Sequence, residues 1–329
     1  MSNVFLQGGN KKKLSLLFGG QGTPPNDKMF AYYENFLKRV ENDEDVVRLN
    51  EIATSIMCSD SGESFIKICY TNIRKQLDST ESAQPTILFL SYLQYLKSDF
   101  SNYYLDSCAG YSLGEYTALV VSESISFEDC MRLLKVRGEV MYEASQEQPT
   151  GMVSIVGLTY NQVAGILSRY PDCYFANEMF NTGFVLGGPK NRLSSLESEA
   201  NRLSALKVVQ LNVSGAFHTK YMNSAKDKLS EHLDRVQINN PKCKVYSNLD
   251  GKEYTDGEDI RNKLKNQLVN SVKWTTTLEN IIKNKNDEYR DIGVGNNLFT
   301  MFGRVSMEER KKFHPSSGLK LPWNWWYYD

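Results

Sequence analysis

The chain has 329 residues, 41% of them hydrophobic, with 22 Gly and 9 Pro, a length and composition that support a large packed fold and exclude disordered, collagenous and coiled-coil classes. Its 38 Lys and Arg against 39 Asp and Glu leave a net charge of −1, so no general attraction to nucleic acid or to an anionic membrane is built in. Six scattered cysteines without a CxxC pair speak against metal ribbons and for reduced thiols, and no apolar run approaches the roughly 20 residues of a membrane span, so a cytoplasmic protein is expected.

Lys11, Lys12 and Lys13 precede the apolar run Leu14 to Phe18, which is too short for the core of a signal peptide. That run reads as a buried strand ending at Gly19, Gly20 and Gly22. A Gln84-Pro85 step signals the start of a helix running from Thr86 to Leu96. Asp106 to Gly110 reads as a strand, Tyr111 to Glu115 as a sharp turn, and Tyr116 to Ser122 as a helix. Ser126 with Asp129 three residues on forms a capping box before an amphipathic helix that reaches about Glu147 and carries Arg137.

From Gly151 the rhythm changes. Gly151 to Gly157, Cys173 to Ala176, Phe184 to Leu186 and Ala205 to Leu211 read as strands, with helices at Asn161 to Ser168 and Arg192 to Leu203. The order βαββαβ is that of a ferredoxin-like split unit. The expected architecture is α/β, with a large subdomain over 1–148 and 213–329 interrupted by a small ferredoxin-like subdomain over 149–212. Lys244 to Ser247 and Tyr289 to Ile292 continue the large part. The aromatic tail Trp323 to Tyr328 is expected to pack back on the body.

Gly110-Tyr111-Ser112-Leu113-Gly114 is a G-x-S-x-G pentapeptide between a predicted strand and a predicted helix, the setting of a nucleophile elbow. The glycines allow a turn that lifts the Ser112 oxygen clear of the sheet, and the Leu113 N–H can donate to an oxyanion. A serine needs a base, and the chain offers His218, His232 and His314. His232 falls in a polar helix and His314 follows two lysines, so both are expected in solvent. His218, in a loop between a strand and a helix, is the candidate base.

Phe18 to Gly22, Gln84-Pro85, Gly110 to Glu115, Arg137-Gly138, Gly215 to His218 and Gln267 to Trp274 occur in the order seen in malonyl-CoA:acyl-carrier-protein transacylases. The chain resembles that family nearly end to end, and also the acyltransferase domains of fatty-acid and polyketide synthases. The resemblance implies an α/β-hydrolase-like core with a ferredoxin-like insertion. It implies Ser112 as nucleophile, His218 as base, and Gln267 supplying the backbone carbonyl that orients the histidine in place of a triad carboxylate. The oxyanion hole would be the N–H groups of Gln21 and Leu113. Arg137 would bind the distal carboxylate of a malonyl group, and Phe217, Gln84 and Tyr111 would line the substrate site, with Phe217 leaving little room for a 2-methyl branch.

On that resemblance the chain would move a malonyl group from malonyl-CoA to the phosphopantetheine thiol of an acyl carrier protein, acting in trans as a monomer, with no bound cofactor or metal. Three positions depart from the family pattern: Gly19 stands for a proline, Tyr111 for a histidine, and Gly293-Val294-Gly295 for Gly-Pro-Gly. Two other readings stay open at this point, an acyl hydrolase that uses water as acceptor and a non-catalytic docking module for carrier protein. A phosphate cradle at Gly19 to Gly22 lacks the Gly-Lys-Ser/Thr ending that a P-loop requires.

Overall fold

The computed structural model describes residues 4–6, 10–21, 27–58, 62–75, 80–294 and 297–315. The Trp323 to Tyr328 tail, Gly22 and Gly295 lie outside the described residues. Strand β1 (Lys12–Phe18) is followed by helices α1 (Asp27–Val40), α2 (Glu44–Met57), α3 (Phe65–Arg74) and α4 (Thr80–Leu96). Then come β2 (Tyr103–Gly110), α5 (Gly114–Val121) and α6 (Phe127–Glu147). Helix α4 begins before the Gln84-Pro85 step and carries Pro85 inside it. At the sixth residue of the helix the proline removes the N–H that would have bonded the Glu81 carbonyl, and the helix continues through it rather than starting there. Ser126 caps α6 as expected, its Oγ accepting from the Asp129 N–H at 3.0 Å.

The next elements are β3 (Thr150–Val156), α7 (Tyr160–Leu167), β4 (Tyr174–Phe180), β5 (Gly183–Pro189), α8 (Lys190–Arg202) and β6 (Lys207–Gln210). They form a four-stranded antiparallel sheet in the order β4-β5-β3-β6, the strand order of a ferredoxin-like unit. Val153 and Ile155 of β3 face Val163, Ile166, Leu193 and Leu196 of the two helices. Met152 and Val156, on the opposite face, join Trp274 and Leu278 of the larger body. With both faces covered, all seven residues of β3 are buried.

The chain then returns through α9 (Asn223–Leu233), β7 (Lys244–Tyr246), α10 (Gly257–Gln267), α11 (Trp274–Lys283), β8 (Glu288–Ile292), α12 (Asn297–Val305) and β9 (Phe313–His314). The large sheet is parallel, in the order β7-β2-β1-β8-β9. Successive β1 and β2 are neighbours, while β8 arrives on the other side of β1. In an open parallel sheet the crevice for a ligand opens at the carboxyl ends of strands that diverge in this way. The register sets those ends level: Phe18 pairs with Gly110 on one side and with Ile292 on the other. The loops after β1 and β2 therefore leave the sheet side by side.

The small sheet is tied to the larger body at the edge of β4, where Glu178 N–H donates to the carbonyl of Val272, in the segment between α10 and α11, and Val272 N–H donates to the Ala176 carbonyl, both at 2.9 Å. A Lys273–Glu178 ion pair lies next to this joint. No helix among the described residues is long and apolar enough to cross a membrane. All six cysteines are free thiols.

Candidate active site

Ser112 sits between the last residue of β2 and the first of α5 with φ +53°, in the left-handed region that costs a non-glycine residue about 1–2 kcal/mol. The turn is tight enough that a Cβ on Gly110 would lie 1.8 Å from the Gly114 carbonyl carbon, and one on Gly114 would lie 2.1 Å from the Phe18 oxygen. Any side chain at either position would force the elbow open. Tyr111 N–H donates to the Phe18 carbonyl at 2.9 Å, anchoring the turn to the end of β1.

His218 also has a positive φ, +59°, and is 4% exposed. Its Nε2 lies 2.7 Å from Ser112 Oγ and its Nδ1 lies 3.0 Å from the Gln267 carbonyl oxygen. A carbonyl can only accept, so Nδ1 carries the hydrogen and Nε2 presents a lone pair to the serine hydroxyl. Burial, reinforced by the positive charge of Arg137, pushes the His218 pKa down to about 4, against the pull of the Gln267 carbonyl. The imidazole is neutral at pH 7 and able to accept a proton. His232 is half-buried on α9, and His314 is exposed, 3.7 Å from Glu288. Neither meets Ser112.

Leu113 precedes α5, where the first N–H groups of a helix have no intrahelical acceptor. The loop carrying Gln21 presses against the elbow: a Cβ on Gly20 would lie 2.3 Å from the Tyr111 carbonyl oxygen. The Gln21 side chain is turned away, its Nε2 donating to Thr80 Oγ1 at 3.4 Å.

Arg137, on α6, is 1% exposed. Its Nη1 donates to Gln84 Oε1 at 2.7 Å and its Nη2 to Gln267 Oε1 at 3.0 Å, while among the described residues its Nε–H has no acceptor. The guanidinium carbon lies 5.4 Å from the centre of the Tyr116 ring. Burial holds the arginine pKa below its ordinary value, opposed by Tyr116 and Glu115. Gln84, fully buried on α4, touches Arg137 and Met141 Sδ, so its contact with the site runs through the arginine. Tyr111 is half-buried, edge-on to Trp274 at 5.4 Å. Phe217 is half-buried and packs against both the α4–α6 core and the Trp274 cluster.

Two residues to which the sequence assigned no role complete the site. Asn248, just past β7, accepts from the Ser112 N–H through Oδ1 and donates through Nδ2 to the Gly110 carbonyl, both at 2.6 Å. It grips the elbow on both sides of Tyr111. Glu115, in the first turn of α5, is 1% exposed, and burial raises its pKa to about 7 against hydrogen bonds from Tyr254, Asn248 and Gln267 and the charge of Arg137. Asn248 could have been sought by its place at the carboxyl end of a parallel strand. Nothing in the local sequence marks Tyr254. Among the described residues no group of three or more His, Cys, Asp or Glu side chains is gathered as metal ligands would be.

A serine on an elbow, a backbone-oriented histidine at hydrogen-bond distance from it and a buried arginine nearby fit the site of a serine acyltransferase. Residues 41–293 match the acyl transferase domain family, and the chain belongs to that family. It is 30% identical over 299 residues to the polyketide biosynthesis malonyl CoA-acyl carrier protein transacylase PksC of Bacillus subtilis, covering 90% of this chain and 98% of that one. Among solved structures, the malonyl CoA-acyl carrier protein transacylase of Clostridium perfringens superposes with a TM-score of 0.77 at 27% identity, covering 94% of each chain. A malonyl-transacylase in complex with a type II polyketide synthase acyl-carrier protein superposes with a TM-score of 0.78 at 25% identity over 93% of this chain and 96% of that one.

Proposed function

We propose that this protein transfers a malonyl group from malonyl-CoA to the phosphopantetheine thiol of an acyl carrier protein through an ester on Ser112. The observation that carries the acyl selectivity is Arg137: a buried cation whose amino groups are held in place by two glutamine oxygens and whose Nε–H meets no acceptor among the described residues. A substrate carboxylate supplies that acceptor and offsets the cost of a buried charge, whereas an acetyl group leaves the donor orphaned. The same arginine favours malonyl transfer over general acyl-ester hydrolysis.

In the first half-reaction Ser112 Oγ attacks the thioester carbonyl while His218 Nε2 takes its proton. The N–H groups of Leu113 and Gln21 stabilise the oxyanion, where one such donor can be worth about 3 kcal/mol. Collapse breaks the C–S bond, and His218 returns the proton to the departing CoA sulfur. In the second half-reaction His218 deprotonates the carrier thiol, the thiolate attacks the malonyl ester, and the proton passes to Ser112 Oγ as it leaves. Gln267 keeps the imidazole in the tautomer that both halves require. Phe217, next to His218 in sequence, would leave little room for a 2-methyl branch, a reading that favours malonyl over methylmalonyl.

Intact-mass measurement after incubation with malonyl-CoA tests the proposal. The expected result is one added malonyl group that moves to a phosphopantetheinylated carrier protein. Absence of any adduct across a panel of acyl-CoA thioesters would remove it.

A further inference from the structure

Between the elbow and the arginine lies a buried carboxylate that the transfer chemistry does not itself use. Glu115 Oε1 accepts from the Asn248 N–H at 2.8 Å and from the Tyr254 hydroxyl at 2.6 Å, and Oε2 accepts from Gln267 Nε2. Gln267 Nε2 donates also to the Ser112 carbonyl at 3.0 Å. With both amide hydrogens engaged, the Gln267 oxygen is left for Arg137 Nη2. Reversing the amide would set its oxygen against two acceptors and its NH2 against the guanidinium, so Glu115 and the Ser112 carbonyl together hold Gln267 in the orientation that serves Arg137. Through Asn248 it also reaches both ends of the strained serine turn.

We infer that Glu115 is a positioning residue: through Gln267 and Asn248 it joins the nucleophile turn and the carboxylate-binding arginine into one hydrogen-bonded unit, and so sets the preference for malonyl over uncharged acyl groups. This rests on the malonyl-transfer reading above and deepens it. The Glu115 oxygens are occupied by protein donors, and the residue acts by fixing the acceptor that aims Arg137.

The decisive variant is Glu115→Gln, which keeps the shape but offers one acceptor in place of two. If its oxygen serves Asn248 and Tyr254, its NH2 faces the Gln267 NH2, Gln267 must turn, and Arg137 loses its acceptor. Acylation of Ser112 is measured with malonyl-CoA and with acetyl-CoA, and folding is checked by thermal melting. The malonyl-to-acetyl ratio of kcat/KM is expected to fall by about tenfold, the scale set by one charge-assisted hydrogen bond. Glu115→Asp, which keeps both acceptors on a side chain too short to reach Asn248 and Gln267 together, is expected to lower the same ratio. A folded variant of either kind that keeps the ratio within about twofold of wild type overturns the inference, since a merely structural residue lowers both rates alike. Wild-type protein that accepts no malonyl group would sink the proposed function instead, a separate result.

Discussion

Arg137→Ala is the sharpest test of what this site selects. In the wild type the guanidinium is 1% exposed, donates to Gln84 at 2.7 Å and to Gln267 at 3.0 Å, and has an Nε–H without an acceptor among the described residues. A malonyl carboxylate received in a forked geometry would make two charge-assisted hydrogen bonds, each worth about 1.5–3 kcal/mol. Their loss predicts a fall of about 10²–10⁴ in kcat/KM for malonyl-CoA. Acetyl-CoA makes neither bond, so its kcat/KM should change far less. Removing the cation also strands the Gln84 and Gln267 oxygens and takes a positive neighbour from Glu115, which should lower stability by about 2–4 kcal/mol. Burst-phase acylation, followed by mass spectrometry with each donor on protein shown to be folded by its melting curve, separates the two effects. Equal losses for malonyl and acetyl would refute the carboxylate clamp, because a general disturbance of the elbow does not distinguish the donors.

Ser112→Ala should abolish the added mass with every acyl-CoA while leaving the fold intact, and an ester found on another residue would displace the mechanism. The pH profile should report His218: with acetyl-CoA as donor, acylation should fall on the acid side through about pH 4, because burial lowers the pKa at which Nε2 becomes protonated; a limb at the ordinary histidine value near 6.5 would contradict the buried geometry. Phe217→Ala should raise kcat/KM for methylmalonyl-CoA relative to malonyl-CoA by about tenfold, the scale of one methyl group in an apolar pocket, and an unchanged ratio measured by competition would move the selectivity elsewhere.

The βαββαβ unit was legible because its strands and helices alternate in short, well-punctuated segments, and the structure places each within a few residues of its predicted span. Helices α1, α2 and α3 were not read out of residues 27–74, and the start of α4 was misplaced, since a proline after the first turn of a helix looks in sequence like a boundary. The histidine was found by elimination among three, but its tautomer could not be read from sequence. That depends on the Gln267 backbone oxygen lying 3.0 Å from Nδ1, a contact across 49 residues. Asn248 and Tyr254 escaped because each acts across more than 130 residues on Ser112 or Glu115, and no local pattern records such a pairing.

The amino-acid order alone determined the elbow, since Gly110 and Gly114 are the residues a turn of that sharpness demands, and it determined the α/β class through the periodicity of apolar side chains. Only the tertiary structure decided the burial of Arg137. On an isolated amphipathic helix an arginine belongs in water. Here Gly138 lets α6 approach α4 so closely that a Cβ there would lie 2.8 Å from Glu81 Cα, and the guanidinium next to it is enclosed with two glutamine oxygens. The difference is physical: turn preferences are local steric properties, whereas the solvation and partners of a charge depend on which distant segments the fold brings around it.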